Sequence, residues 1–147
     1  MERAPYVMQQ TYNAPVDRVW QALTDIEKLK QWYFDLSGFK PEVGFKFSFT
    51  CQDGGRLYLH HCEVKEVVEG KKLVHTWYYA GYPGESTVTW ELFAEGDTTR
   101  LKLTHAGLET FPQDDPFFAT SNYNAGWTQI AGTDLKHFVE DKIIISH

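Results

Sequence analysis

Cysteine is scarce in this sequence, and the two that occur, Cys51 and Cys62, predict no disulfide. The turn signal over residues 52–55 sets Cys51 opposite about residue 57 in a hairpin, which keeps its Cα atom beyond the roughly 7 Å that a disulfide to Cys62 allows. Two reduced thiols are typical of a cytosolic protein, and we expect a cytoplasmic location.

Basic clusters and long apolar runs are also missing. The chain has 14 Lys and Arg against 20 Asp and Glu, a net charge of −6, with no basic stripe. A nucleic-acid partner is therefore not expected. No apolar run approaches the ~20 residues of a membrane-spanning helix, and residues 1–10 lack the apolar core of a signal peptide. We expect no membrane insertion.

Aromatic residues, by contrast, are abundant. Five Trp, eight Tyr and ten Phe make up 16 % of the chain. Such a composition excludes a disordered chain and supports a substantial core. The length of 147 residues suits a single domain over 1–147, and no repeat or linker divides it.

Hydrophobic spacing predicts three helices. The first covers about 15–23, where apolar residues recur at i, i+3, i+4 and i+7 and Pro15 suits the first helical position. A second short helix covers about 25–34, with Asp25 as its cap. The third covers about 119–140, and its apolar stripe consists of Trp127, Ile130, Ala131, Leu135 and Phe138.

Alternating residues predict strands over 6–12, 45–50, 56–69, 72–80, 86–95 and 98–106. The turn at 96–97 registers the last two strands and predicts the facing pairs Leu92–Leu101, Trp90–Leu103 and Val88–His105. The loop at 81–84 registers the preceding hairpin and predicts the pairs Leu73–Leu92, His75–Trp90 and Trp77–Val88. Both hairpins then present their apolar residues on one face, which a one-residue slip would mix with the polar set.

The strand over 56–69 changes its apolar parity near Lys65 and Glu66. A β-bulge at that point would restore the inward orientation of the valines that follow. Tyr58, His60 and Cys62 would then share the inner face of the sheet.

These elements predict an α+β fold. One curved antiparallel sheet with a single apolar face needs a cover, and the long C-terminal helix is the natural one. The two short helices after the first strand would close one open end of the sheet.

Four segments in this order, APVDRVWQALTD, GKKLVHTW, STVTWELFAEGDTTRLKLTHAGL and GWTQIAGTDLKHFVE, resemble the bacterial family named after the activator of the heat-shock-protein-90 ATPase. That family belongs to the START-like, polyketide-cyclase-like (SRPBCC) superfamily. The resemblance implies the helix-grip fold, with a cavity between sheet and long helix, and no fixed chemistry. In the eukaryotic activator this module accompanies a chaperone-binding domain, for which 147 residues leave no room.

The sequence departs from the family pattern in two places. Only Gly44 stands before the second strand, where a Gly-Gly pair is more usual, and the last helix carries Ala131, Gly132 and Asp134 where larger apolar residues are common. Both departures can enlarge the cavity or reflect local packing.

The leading hypothesis is a domain that binds an apolar or aromatic small molecule without a cofactor. Mostly apolar walls with a few polar groups are typical of such pockets. Trp77 and Trp90 would supply stacking surfaces, and His75 and His105 would orient a polar group of the ligand. The candidate ligand-binding residues are His75, Trp77, Trp90, His105, Trp127 and Ala131, and the candidate gate is formed by Phe117 and Phe118.

Other functions stay open. A cyclase- or dehydratase-like enzyme would use a cavity histidine as general acid or base. A protein-interaction module, including one that contacts a chaperone, would bind through the outer face of the sheet. Metal is not expected, because His60 and Cys62 make an incomplete ligand set and His75 lies two strand spacings from His105. A homodimer also stays open.

Overall fold

The computed structural model describes residues 4–53 and 55–140. Its first elements are β1 (Tyr6–Tyr12), α1 (Val16–Thr24), α2 (Ile26–Trp32), β2 (Lys46–Asp53), β3 (Arg56–Val68), β4 (Lys72–Tyr79), β5 (Ser86–Glu95) and β6 (Thr98–Ala106). Two 3₁₀ turns follow, at Leu108–Thr110 and Pro116–Phe118. The C-terminal helix then consists of α3 (Thr120–Gln129), a π-helical segment (Ile130–Asp134) and α4 (Leu135–Glu140).

The strands form one antiparallel sheet in the order β1-β6-β5-β4-β3-β2. β1 pairs with β6, and the other strands follow the chain order. The C-terminal helix packs against β1, while α1 packs against α2, α4, β5 and β6. The predicted α+β helix-grip architecture is therefore confirmed. No helix in the described parts of the chain is long and apolar enough to cross a membrane.

The first two helices follow the predicted boundaries closely. α1 begins at Val16 rather than Pro15, and the Pro15 carbonyl accepts the first helical hydrogen bond, from the Val19 amide at 3.2 Å. Asp25 caps α2 as predicted, because its side chain accepts from the Glu27 amide at 2.9 Å. α2 ends at Trp32, two residues before the predicted boundary.

The register of β5 and β6 matches the prediction, with Trp90 opposite Leu103 and Val88 opposite His105. The predicted register of β4 and β5 was wrong by two residues. His75 faces Val88 instead of Trp90, and Trp77 faces Ser86 instead of Val88. Because the shift is an even number of residues, every side chain keeps its predicted face.

The reason for this shift lies at Glu85, which was expected to pair with Ala80 in β4. The Glu85 amide instead donates to the Thr110 hydroxyl at 2.9 Å, and that hydroxyl lies 3.0 Å from the Glu85 carbonyl. Glu85 therefore belongs to the contact with the 3₁₀ turn after β6, and the β4–β5 ladder begins one residue later. That long-range contact carries no local sequence signal.

β3 contains the predicted bulge, since its register with β4 shifts between Val64 and Glu66. The residues Tyr58, His60 and Cys62 are all buried, as expected for the inner face. Cys62 lies opposite Phe47, and Cys51 lies opposite Tyr58, one residue past the predicted position. Gly54, which belongs to the predicted turn, lies outside the described residues.

The buried stripe of the C-terminal helix differs from the prediction. Ile130 and Phe138 are only partly buried, and the buried positions recur every four residues, at Tyr123, Trp127, Ala131, Leu135 and Val139. In a regular α-helix, a four-residue repeat drifts round the axis, because one turn takes 3.6 residues. The wider π-helical turn over Ile130–Asp134 compensates for that drift and keeps the stripe on the sheet.

Candidate functional site

Four of the predicted ligand-binding residues meet at the indole of Trp127. The ring centroid of Trp127 lies 5.4 Å from that of Trp77, 5.5 Å from that of Trp90 and 5.9 Å from that of His105. Ala131, one turn further along the helix, is completely buried. At this level, side chains in ring contact fill the space between the sheet and the helix.

His105 has both ring nitrogens in hydrogen bonds. Its Nδ1 accepts from the indole N–H of Trp127 at 3.1 Å, and its Nε2 lies 2.8 Å from the Ser86 hydroxyl. That hydroxyl donates its own proton to the carbonyl of Trp77 at 2.7 Å. The proton between His105 and Ser86 must therefore sit on Nε2, which fixes a neutral tautomer.

His75 repeats this arrangement with the nitrogens exchanged. Its Nε2 accepts from the indole N–H of Trp90 at 3.1 Å, and its Nδ1 lies 3.0 Å from the carbonyl of Thr76. Since a carbonyl only accepts, Nδ1 carries the proton. Either histidine can orient a ligand only by giving up one of these internal bonds.

Burial makes the sheet interior uncharged. Loss of hydration lowers the pKa of His75 to about 4. It lowers the pKa of His105 to about 3, with a smaller contribution from the other two histidines. His60 also has a pKa lowered to about 4 by burial, against the opposing effect of its backbone hydrogen bonds. All three imidazoles are therefore neutral near pH 7.

A tyrosine pair continues the polar network. The indole N–H of Trp77 donates to the hydroxyl of Tyr79 at 2.8 Å, and that oxygen lies 2.9 Å from the hydroxyl of Tyr123 on α3. The tyrosines thus satisfy the last indole of the cluster and connect the sheet to the helix.

A small cavity lies beside this cluster, toward α1, α2 and the segment 33–45. Its volume is about 20 Å³, which is space for roughly one water molecule. Among the predicted ligand-binding residues, only His75 and Trp90 line it. The full lining is Leu23, Leu29, Trp32, Tyr33, Leu36, Phe39, Phe47, Leu73, His75 and Trp90.

Tyr33 is the polar residue of this lining that sequence reasoning missed. Its ring is half-buried, whereas its hydroxyl is inaccessible and is the one buried side-chain polar atom without a hydrogen-bond partner in the described parts of the chain. Burial, with a smaller effect from Cys62, raises the pKa of this hydroxyl well above its ordinary value.

The placement of Tyr33 follows from the early end of α2. The predicted helix over 25–34 includes Tyr33, but the chain becomes extended there, with φ −110° and ψ −165°. The ring then packs edge-on against Trp90, with centroids 6.2 Å apart. The aromatic run Trp32-Tyr33-Phe34 at a helix end was the available signal.

The candidate gate residues pack into an aromatic cover. Phe117 stacks on Tyr58, with ring centroids 3.6 Å apart and planes 3° apart, while Phe118 is buried against Tyr79 and Phe111. Along β4, this cover lies beside Tyr79, whereas the cavity lies beside Leu73 and His75. The cover and the cavity therefore occupy different ends of the strand, and opening by Phe117 and Phe118 stays a prediction.

The expectation of additional space at Gly132 finds no support. A Cβ atom on Gly132 would meet the Gln10 side chain at 3.7 Å and the Thr128 methyl group at 3.8 Å. This position therefore faces β1 and its own helix rather than the aromatic cluster. Within residues 4–53 and 55–140, no three His, Cys, Asp or Glu side chains come together as a metal-binding group.

The curved six-stranded sheet, the paired helices after β1 and the covering C-terminal helix define the helix-grip class of START-like, polyketide-cyclase-like domains. The family model described as "Activator of Hsp90 ATPase homolog 1-like protein" matches residues 13–140, and the chain belongs to this family. The resemblance seen in the sequence is therefore confirmed. No curated protein matches the chain in sequence.

Solved structures share the fold. MLL2253 from Mesorhizobium loti is 28% identical with a TM-score of 0.75, over 91% of this chain and 95% of that one. CalU16 from Micromonospora echinospora is 27% identical with a TM-score of 0.70, over 95% of this chain and 78% of that one. DynU16, a protein in the dynemicin biosynthetic locus, is 24% identical with a TM-score of 0.74 over 92% of this chain. This chain spans about half, 47%, of DynU16.

Proposed function

We propose that the protein binds an uncharged aromatic or apolar small molecule, which enters the interior at the cavity between α1, α2 and the segment 33–45. The observation that carries this proposal is the apolar cavity, into whose wall the unpartnered hydroxyl of Tyr33 is built. Family and fold are consistent with a ligand-binding domain. The origin of DynU16 in a biosynthetic locus fits a role with small organic molecules.

A ligand must displace side chains, because a cavity of about 20 Å³ holds no organic molecule. The segment 33–45 is the wall that can yield, since it contains no helix or strand. Ser37 ties it to β2, with its amide donating to the Ser48 carbonyl at 2.9 Å and its hydroxyl accepting from the Ser48 amide at 3.0 Å. Moving Leu36 and Phe39 therefore breaks fewer hydrogen bonds than separating two strands.

The predicted site residues divide into two layers in this proposal. Trp90 and His75 form the inner wall that an entering ligand meets first. Trp77, His105, Trp127 and Ala131 lie behind that wall, and a ligand reaches them only by displacing the Trp127 indole.

The alternative functions receive less support. A general acid or base needs a ring nitrogen that can reach substrate, and both nitrogens of His75 and His105 are already bonded. On the outer face, Phe93 lies under the Arg100 guanidinium at 4.4 Å. Enzymatic activity, chaperone contact and homodimerisation stay predictions.

A blocking substitution tests the site. Leu36→Trp places a larger ring in the cavity, whereas Val43→Trp adds the same ring to the same segment at a position that is 68% exposed. We expect thermal-shift and calorimetric screens with uncharged one- and two-ring aromatic compounds to show binding to the native protein and to Val43→Trp. Binding should be lost in Leu36→Trp. Absence of binding to the native protein, or equal binding to all three, would contradict the proposal.

A further inference from the structure

We infer that the hydroxyl of Tyr33 is the anchor of the ligand site, and that the ligand is an uncharged aromatic molecule carrying a hydrogen-bond acceptor oxygen, such as a ketone. This inference rests on the proposed function and deepens it by stating what chemistry the ligand carries. It is drawn from the one polar atom of the cavity wall that the protein leaves without a partner.

The hydroxyl has no structural use in the described protein. A buried donor without a partner is destabilising, and a phenylalanine of the same shape would avoid that penalty. Other buried tyrosines of this chain are bonded: Tyr12 donates to the Ala131 carbonyl at 2.6 Å, and Tyr79 accepts from Trp77 at 2.8 Å. Unsatisfied buried groups are rare in native proteins and mark sites with a further role.

A trapped water is a poor explanation for this hydroxyl. Ordered buried waters typically make about three hydrogen bonds. In the cavity wall, the indole N–H of Trp90 and the Nε2 of His75 are already bonded to each other at 3.1 Å. A water molecule would therefore depend on Tyr33 for its bonds to the lining side chains, whereas an organic ligand also gains apolar contact with the walls.

The lining also restricts the charge of the ligand. It contains four leucines, five aromatic residues and His75, and it includes no Asp, Glu, Lys or Arg. His75 is neutral and committed to Trp90 and Thr76. A charged ligand would lose its hydration here without gaining a counter-ion, which is strongly unfavourable. An uncharged ring that ends in an acceptor oxygen matches both the walls and the single donor.

Three probes of similar shape test the inference: acetophenone has the acceptor, isopropylbenzene lacks it, and benzoate replaces it with a charge. Binding is followed by NMR at the indole N–H of Trp90, which lines the cavity, and by titration calorimetry. We expect the native protein to bind acetophenone about three- to tenfold more tightly than isopropylbenzene, as one net hydrogen bond implies. Benzoate should bind most weakly.

The variants are Tyr33→Phe and, as the matched control, Tyr6→Phe, which removes a hydroxyl bonded to Asn124 away from the cavity. Tyr33→Phe should bind acetophenone and isopropylbenzene equally, and Tyr6→Phe should keep the native preference. Equal binding of the two probes to the native protein, or an unchanged preference in Tyr33→Phe, would overturn the anchor while leaving the proposed function intact. Absence of any binding at Trp90 would overturn both.

Discussion

The indole N–H of Trp127 donates to Nδ1 of His105, which ties the C-terminal helix to the centre of the sheet over 3.1 Å. Both partners are buried, so the bond forms away from competing water. The indole at once fills the space under the helix and gives the imidazole its second hydrogen bond. This pair therefore stabilises the grip of the sheet on the helix.

The pair predicts a coupled loss of stability. Trp127→Phe removes the donor and leaves Nδ1 of His105 buried without a partner, so it should lower the free energy of unfolding by about 2–4 kcal/mol. His105→Leu should be destabilising alone, but the double variant should cost less than the sum of the two by about 1 kcal/mol or more. Urea unfolding of the four proteins checks this. Strict additivity would show that the hydrogen bond contributes nothing.

The buried tyrosines predict opposite effects of one chemical change. Tyr33→Phe removes an unpartnered hydroxyl and should raise the free energy of unfolding of the ligand-free protein by about 1 kcal/mol. Tyr79→Phe removes a hydroxyl bonded to Trp77 and adjacent to Tyr123, and should lower it by about 1–3 kcal/mol. Chemical denaturation at pH 7 measures both. Destabilisation by Tyr33→Phe would reveal that its hydroxyl does have a partner in solution.

The three buried histidines predict a loss of stability in mild acid. Their pKa values are lowered to about 4, 4 and 3 in the folded protein, for His60, His75 and His105. An unfolded histidine has a pKa of about 6.5, so below that pH the unfolded chain binds protons that the folded chain excludes. The stabilisation is fully present above pH 6.5 and is lost as the pH falls toward 4.

The expected slope is on the order of 1 kcal/mol per pH unit for each histidine. Urea unfolding between pH 7.5 and 4.5 measures the total slope, and the same series on His75→Gln should show about one third less. A flat profile across this range would mean that the imidazoles become protonated in the folded protein.

The sequence predicts the faces of the strands well, because alternation is a local property of each strand. Trp77, Trp90 and His105 are on the inner face as expected, and only the β4–β5 pairing is shifted, by the contact between Glu85 and Thr110. The candidate cluster around Trp127 follows from that parity. Tyr33 was missed because its position depends on where α2 ends, and helix ends are weakly encoded in hydrophobic spacing.

The hydrogen bonds of the histidines lie beyond such reasoning for a different reason. Parity places His75 and His105 on the inner face, but it does not reveal that each accepts from an indole. Those bonds depend on side-chain rotamers across the sheet and the helix. The interpretation of these residues therefore shifts from orienting a ligand to stabilising the interior, while the cavity beside Trp90 carries the binding proposal.

Ala131 decides whether the interior behind that cavity has room. It is completely buried, and its carbonyl accepts from the Tyr12 hydroxyl at 2.6 Å. Ala131→Trp should therefore overpack the helix–sheet contact and lower the free energy of unfolding by about 3 kcal/mol or more, since smaller excess groups already cost about 1–3 kcal/mol. Ala125→Trp adds the same ring at an exposed position of α3 and should change stability by less than about 0.5 kcal/mol. Thermal and urea unfolding of both variants check this. If Ala131→Trp is as stable as the native protein, a cavity extends under the π-helical segment, and the original placement of the ligand between β4–β6 and the C-terminal helix is favoured over the site at Tyr33.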